Sequence, residues 1–218
     1  MKLLIYSANI DNYDHKQENV EQDVPYGIDL VEYHCYDDSN TPRRFNSMTP
    51  RLQARLCKMM TWQFKPDYDY YLWVDSSCRL PKEDSAAWFM DQLGDSDIAV
   101  FRHNKRQTVQ EEADYLKARL IDEKEGRKQN YVLSRYENED IDGQMAVVDP
   151  TAQLFASTAL IYRNNQVTRD LMTVWWLNTS MFHSIDQLSL PHAITHTGAE
   201  VSVIDEDYLK CSYLEYTR

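Results

Sequence analysis

Glycine is scarce in this chain, at 5 of 218 residues. A phosphate cradle of the G-x-x-x-x-G-K or G-x-G-x-x-G type needs clustered glycines, and neither pattern occurs. Cys35, Cys57, Cys78 and Cys211 never fall as C-x-x-C, which argues against a zinc knuckle or redox pair and for buried free thiols. No apolar run approaches the roughly 18 residues that a membrane span needs. The opening MKLLIYSANIDNYD carries one lysine and a short apolar run, with no small-residue cleavage site after it. It reads as a first strand, and the expected location is cytoplasmic. No repeat, low-complexity tract or long linker is present, so one domain over 1–218 is expected.

What is present is a globular composition, 43% hydrophobic and 27% charged, with a net charge of −12. That charge argues against a general binder of nucleic acid or anionic membrane. Its distribution is uneven. Residues 41–66 carry Arg43, Arg44, Arg51, Arg55, Lys58 and Lys65 and no acid, and residues 101–110 carry Arg102, Lys105 and Arg106 and no acid. Two cationic segments in an acidic protein point to an anionic ligand of limited size.

KLLIYSA, GIDLVEYHCYDD, YYLWV, DIAVFRH, LFASTALIYR and VSVIDED read as strands and alternate with helical segments. Thr49 and Pro50 open a helix with Leu52, Leu56, Met59 and Met60 on one side and Arg51, Arg55, Lys58 and Trp62 on another. DSAAWFMDQL ends at Gly94, and Thr108 with Glu111 forms a capping box for a helix to about Glu125. Another helix is expected over 127–138, then QVTRDLMTVWWLNT, then DQLSLPHAI with a proline bend. LLIY and YYLWV are apolar on both faces. The expected fold is an α/β sandwich with a mostly parallel central sheet flanked by helices. Ligands of such sheets sit beyond the carboxyl ends of the strands.

YDYYLWVDSSCRL ends a buried strand in Asp75, with two serines behind it. A carboxylate there, beside small residues, can approach a bound ion or phosphate closely, and Mg2+ or Mn2+ needs few protein oxygens. Asp-Ser-Ser is equally good turn chemistry.

The order of strand, basic helix and acid-terminated strand resembles a GT-A glycosyltransferase. More narrowly, YSANIDNYD, RLQARLCKMMTWQFKPDYDYYLWVDSS, IAVFRHNKRQTVQEEADY, LFASTALIYRNN and HSIDQLSLPHAI resemble, in order, the glycosyltransferase-like domain family of plant and bacterial polysaccharide proteins. The resemblance implies transfer of a sugar from a nucleotide sugar, a UDP-sugar first, with Mn2+ or Mg2+. GT-A enzymes commonly show Asp-x-Asp where this chain has DSS, so only Asp75 matches and Ser77 replaces the second acid. A late residue would then complete the metal site, and His196 is chosen over His192 and Asp205.

The resemblance places Ser7, Asn9, Asp11 and Asp14 on the nucleotide, with ordinary loop polarity as the plain alternative, and Arg55, Lys58, Asp75 and Ser77 complete the donor site. Arg55 and Lys58 could meet a diphosphate or line a solvated helix face. Arg102, His103, Arg106 and Gln187 are assigned to the acceptor. Glu112 is the second catalytic candidate beside Asp186; it could face the cleft and bind acceptor hydroxyls, or serve the helix dipole alone. Asp186 matches a family motif and is the expected general base of an inverting enzyme or charge stabiliser of a retaining one, with a helix cap as the plain alternative. Trp73, Trp88, Trp175 and Trp176 read as core. The acceptor is a glycan or another hydroxyl. Alternatives are a phage-type DNA glycosyltransferase, its groove supplied by Arg43, Arg44, Arg102, Lys105, Arg106, Arg127 and Lys128, and a non-catalytic nucleotide- or sugar-binding module. A nucleotidyltransferase fits less well, for want of a Gly-rich first loop.

Overall fold

KLLIYSA forms β1, Lys2–Ala8, and its apolar residues divide between two cores. Leu4, Tyr6 and Ala8 enter one, Leu3 and Ile5 the other, as the two-residue period of a strand requires. A computed structural model describes residues 1–12, 14, 18–41, 48–125 and 140–217, with the backbone alone for 119–125. The helix expected over 127–138 and the basic residues Arg43, Arg44, Arg127 and Lys128 lie outside the described residues.

The remaining elements are β2 (Leu30–Tyr36), α1 (Pro50–Phe64), β3 (Tyr70–Val74), β4 (Cys78–Arg79), α2 (Ser85–Leu93), β5 (Ile98–Arg102), α3 (Val109–Glu125), α4 (Ile141–Met145), β6 (Phe155–Arg163), α5 (Gln166–Met181), α6 (Leu190–Thr197), β7 (Val201–Ile204) and β8 (Glu215–Tyr216). Short 3-10 turns cover Ile10–Asn12 and Asp186–Leu188. The main sheet has the order β2-β1-β3-β6-β5-β7, with β6 antiparallel to both neighbours and the other pairings parallel. Helices α1, α5 and α6 contribute to the core on one face, and α2 with the C-terminal Cys211 and Leu214 to the core on the other. This is the expected α/β sandwich.

Local signals act as the sequence suggests, with two adjustments. Thr49 accepts from the Leu52 amide to cap α1, and Gly94 takes φ 50 after α2. The Thr108 hydroxyl accepts from the Glu111 amide at 3.2 Å, but the Glu111 carboxylate reaches the Gln107 amide rather than that of Thr108. DQLSLPHAI is split, because Ser189 separates a 3-10 turn from α6.

Because β1, β2, β3, β5 and β7 share one direction, Ala8, Tyr36, Val74, Arg102 and Ile204 end at one edge, where β6 begins. Between β5 and β6 the register slips, with Val100 opposite Leu160 and Phe101 opposite Ala156. Ser157 and Thr158 therefore leave the β5 ladder. The Thr158 carbonyl accepts from Asp75 N, and that of Ser157 is left for a side chain.

Candidate active site

Lys58 is the centre of the edge where the parallel strands end. It follows Cys57 and precedes Met59 and Met60 on α1, and it is 1% exposed. Its Nζ donates to the Asp186 carboxylate at 2.7 Å and to the Ser157 carbonyl, and lies 4.0 Å from Asp75 Oδ1. The rings of Trp73 and Trp175 flank it, each with its centroid 5.4 Å from Nζ. Burial lowers the Lys58 pKa, against the opposing pull of Asp186 and Asp75. A solvated helix face does not describe this residue. Only a buried anion makes such a lysine affordable.

Asp186 is that anion. Besides Lys58 it accepts from the Ser157 hydroxyl at 3.1 Å and has Arg55 Nε at 3.5 Å. Trp175 Nε1 holds its backbone carbonyl at 2.7 Å. Burial alone would raise its pKa, but Arg55 and Lys58 outweigh burial and bring it down to about 2. Its carboxylate caps no helix among the described residues.

Asp75 differs. Trp73 Nε1 donates to its Oδ1 at 2.8 Å, and Arg55 Nη1 stands 3.9 Å from the same atom. Among the described residues nothing donates to Oδ2, and the side chain is 27% exposed. Burial raises its pKa, with Lys58 and Arg55 pulling the other way. Arg55 also donates to the Ser184 carbonyl at 3.3 Å, and its side chain keeps 16% exposure. Asp75 and Arg55 are thus the members of the cluster that solvent reaches.

The turn after Asp75 is gripped from two sides. The Ser76 hydroxyl donates to Asp14, and Thr217 N and Oγ1 both donate to the Ser77 carbonyl at 2.9 Å. Ser77 itself is 8% exposed. The first loop closes on itself, since Asn9 Nδ2 donates to the Asp14 carbonyl at 2.7 Å and Asp14 N to Asn9 Oδ1 at 3.1 Å. Asn9 is thereby a loop tie rather than a free donor contact. Ser7 is 4% exposed, and its hydroxyl pairs with Tyr33 Oη at 3.0 Å. Asp11 has φ 61 and is exposed, with its amide on Asp38.

A second polar group lies across the 3-10 turn. Glu112 is 2% exposed, accepts from Gln187 Nε2 at 2.6 Å and pairs with Arg106. His103 Nδ1 accepts from the amides of Arg106 and Lys105 at 3.0 and 3.2 Å. Burial, then Arg106, lower the His103 pKa. Arg102 is exposed and paired with Asp205 at 2.7 Å. With Arg102 and Arg106 both on carboxylates, the described part of the supposed DNA groove offers Lys105.

His196 does not reach Asp75. It ends α6 just before β7, whose first residue is level with Ile98 at the start of β5 and so lies at the edge opposite Asp75. Its near partner is His192, 5.7 Å between ring centroids. Among the described residues the donor set therefore does not fit a divalent ion held by the protein. Asp75 offers one oxygen beside two cations, Ser77 supplies no carboxylate, and no group of three His, Cys, Asp or Glu among the described residues is placed to hold a metal.

Ser157, Trp73 and Trp175 are site residues that the pattern does not reveal. The two tryptophans read correctly as core, and the use of their N–H groups depends on tertiary placement. The lysine inside LCKMM is the legible clue, a charge in an otherwise apolar run.

No curated protein matches the chain. Among solved structures, a glycosyltransferase involved in the glycosylation of the major capsid of PBCV-1 aligns over 93% of this chain and 82% of its own, at 8% identity and a TM-score of 0.42. A family model described as TOD1/MUCI70, glycosyltransferase-like domain, matches residues 43–216, which hold the α1 cations, Asp75, the Ser157 slip and Asp186. With about four-fifths of its length under that match, the chain belongs to the TOD1/MUCI70 glycosyltransferase-like domain family.

Proposed function

We propose that this protein transfers a glycosyl group from a nucleotide sugar to a hydroxyl of a glycan. The observation that supports this reading best is the solvent-reached pair of Arg55 and Asp75 at the carboxyl edge of the sheet, backed by the buried Lys58–Asp186 pair. Arg55 has the fork geometry that suits a diphosphate. The leaving group is a nucleoside diphosphate, and cations fixed before it departs stabilise its charge. Asp11 and Asp14, on the loop that meets Ser76, would take base and ribose. His103, Arg106 and Gln187 lie on the acceptor side.

Asp186 serves as a positioning anion. A general base needs an accessible oxygen and a pKa near the working pH. Asp186 is 2% exposed, its oxygens accept from Lys58 and Ser157, and its pKa is about 2. Glu112 is likewise occupied by Arg106 and Gln187 and orders the acceptor side. This occupancy of both buried acids also favours a second reading, a binding module without turnover.

A thermal-shift panel of nucleoside diphosphates and nucleotide sugars tests the donor site, since a ligand at a hundredfold excess over its Kd stabilises the native state by about 2.7 kcal/mol. One nucleotide series should raise Tm. Release of that nucleoside diphosphate from its sugar, with sugar appearing on a glycan acceptor, separates the enzyme from the binding module. Absence of any shift across the panel removes the proposal.

A further inference from the structure

We infer that the donor's diphosphate is held by protein cations without a bound divalent ion, and that Asp75 accepts from a donor hydroxyl rather than ligating a metal. This rests on the nucleotide-sugar reading above. The charges of the site carry it. Arg55 and Lys58 stand 3.9 and 4.0 Å from Asp75 Oδ1, so a dication at this carboxylate would meet two positive charges at close range. Lys58 is fixed there by Asp186, Ser157 and two tryptophan rings and cannot swing aside. Of the two cations, Lys58 is answered by Asp186, while Arg55 keeps exposure to solvent and can meet an anion directly.

The available oxygens agree. A metal site built around a diphosphate still needs protein ligands that converge. Here Ser77 presents no carboxylate, one oxygen of Asp14 takes the Ser76 hydroxyl, and His196 is at the other edge of the sheet. Among the described residues nothing donates to Asp75 Oδ2, and the side chain is partly exposed beside an arginine. A lone carboxylate oxygen next to a phosphate-binding cation is well placed to accept from a ribose or sugar hydroxyl, which needs one acceptor and no ion.

The test is calorimetric titration of the whole protein with UDP, GDP and ADP, in EDTA and in Mn2+. The nucleotide that binds should do so in EDTA with a Kd within about threefold of its value in Mn2+. Its affinity should fall with added salt, as for a contact between charges. Arg55→Gln should weaken it about tenfold or more, and Arg55→Lys less, because the charge stays while the fork is lost. The EDTA comparison uses the unaltered chain, so it stands whether or not a variant folds. Binding that weakens more than about threefold in EDTA and returns with Mn2+ overturns the inference and leaves the transferase reading in place. If none of the three binds under either condition, both fall.

Discussion

Asp186 and Glu112 lie on the two sides of one 3-10 turn, each buried and each paired with a cation, yet the clusters around them are not equivalent. Around Glu112 the account closes: Arg106 takes one oxygen and the Gln187 amide the other. Around Asp186 the network extends through Lys58 and Arg55 to Asp75, which keeps an oxygen with no donor among the described residues and a quarter of its surface in water. A closed cluster fixes a shape. An open one has hydrogen-bonding and charge capacity left for a ligand. Unspent capacity, rather than burial or charge, distinguishes the two.

The largest effect should come from cutting the open cluster at its root. Lys58→Met leaves the Asp186 carboxylate buried with a lost partner, at a cost of about 3–5 kcal/mol. In a chain of this size that lowers Tm by roughly 10 °C or more. Adding Asp186→Leu should recover part of the loss, since an apolar replacement of both partners removes the stranded charge. A Lys58→Met protein that melts with the unaltered one would show that the pair does not anchor the site.

The next effect is a dependence on acid. The Asp186 pKa falls from 3.8 to about 2 on folding. A depressed carboxyl contributes stability above its unfolded pKa and loses it as pH drops through the folded one, here from about pH 4 to pH 2, for ~2 kcal/mol. Asp75, with its raised pKa, works in the opposite direction, since ionising it costs the fold stability as pH rises. Urea unfolding between pH 5 and pH 2.5 should therefore show a steeper acid loss in the parent than in Asp186→Asn, and a steeper one still in Asp75→Asn. Parallel curves for all three would mean that neither group is perturbed.

Much of this was legible beforehand, and unevenly. The strands, the Thr49 cap, the Gly94 stop and the parallel sheet follow from periodicity and local chemistry, which act over a few residues. Asp75 is legible as a strand end because that too is a local feature. The burial of Lys58 is not legible, since its partners are 99 and 128 residues away. His196 and Asp186 part for one reason. Both are late in the chain, but α6 carries the one to the far edge of the sheet while the turn before it keeps the other near β6. Sequence order does not encode which edge a connection returns to.

The closed cluster supplies a third prediction. Glu112→Gln removes the charge facing Arg106 and should cost about 1–3 kcal/mol, with nucleotide affinity unchanged because no Glu112 contact enters the donor side. Asp75→Ala should do the reverse. Its carboxylate is held at a cost, so Tm stays level or rises, as at sites where function opposes stability, while nucleotide-sugar affinity falls about tenfold or more. Loss of donor binding in Glu112→Gln at unchanged Tm would erase the distinction between the clusters.

The smallest effect tests whether the open cluster needs its turn held from outside. Thr217 donates twice to the Ser77 carbonyl, through its amide and its hydroxyl, while β8 pairs with β4 and Glu215 with Arg79. Thr217→Val keeps the shape and the amide bond and removes the hydroxyl donor, so the expected loss is about 0.5–1.5 kcal/mol, the ordinary net contribution of a single hydrogen bond. Because the bonded carbonyl is two residues from Asp75, this modest change should appear more clearly in nucleotide-sugar affinity than in Tm. A fall in affinity of about two- to threefold with Tm nearly constant would make the C-terminal strand part of the site's support. A fall in Tm with affinity intact would make it only a staple on the fold, leaving the first loop, through Asp14 and Ser76, as what holds Asp75 in place.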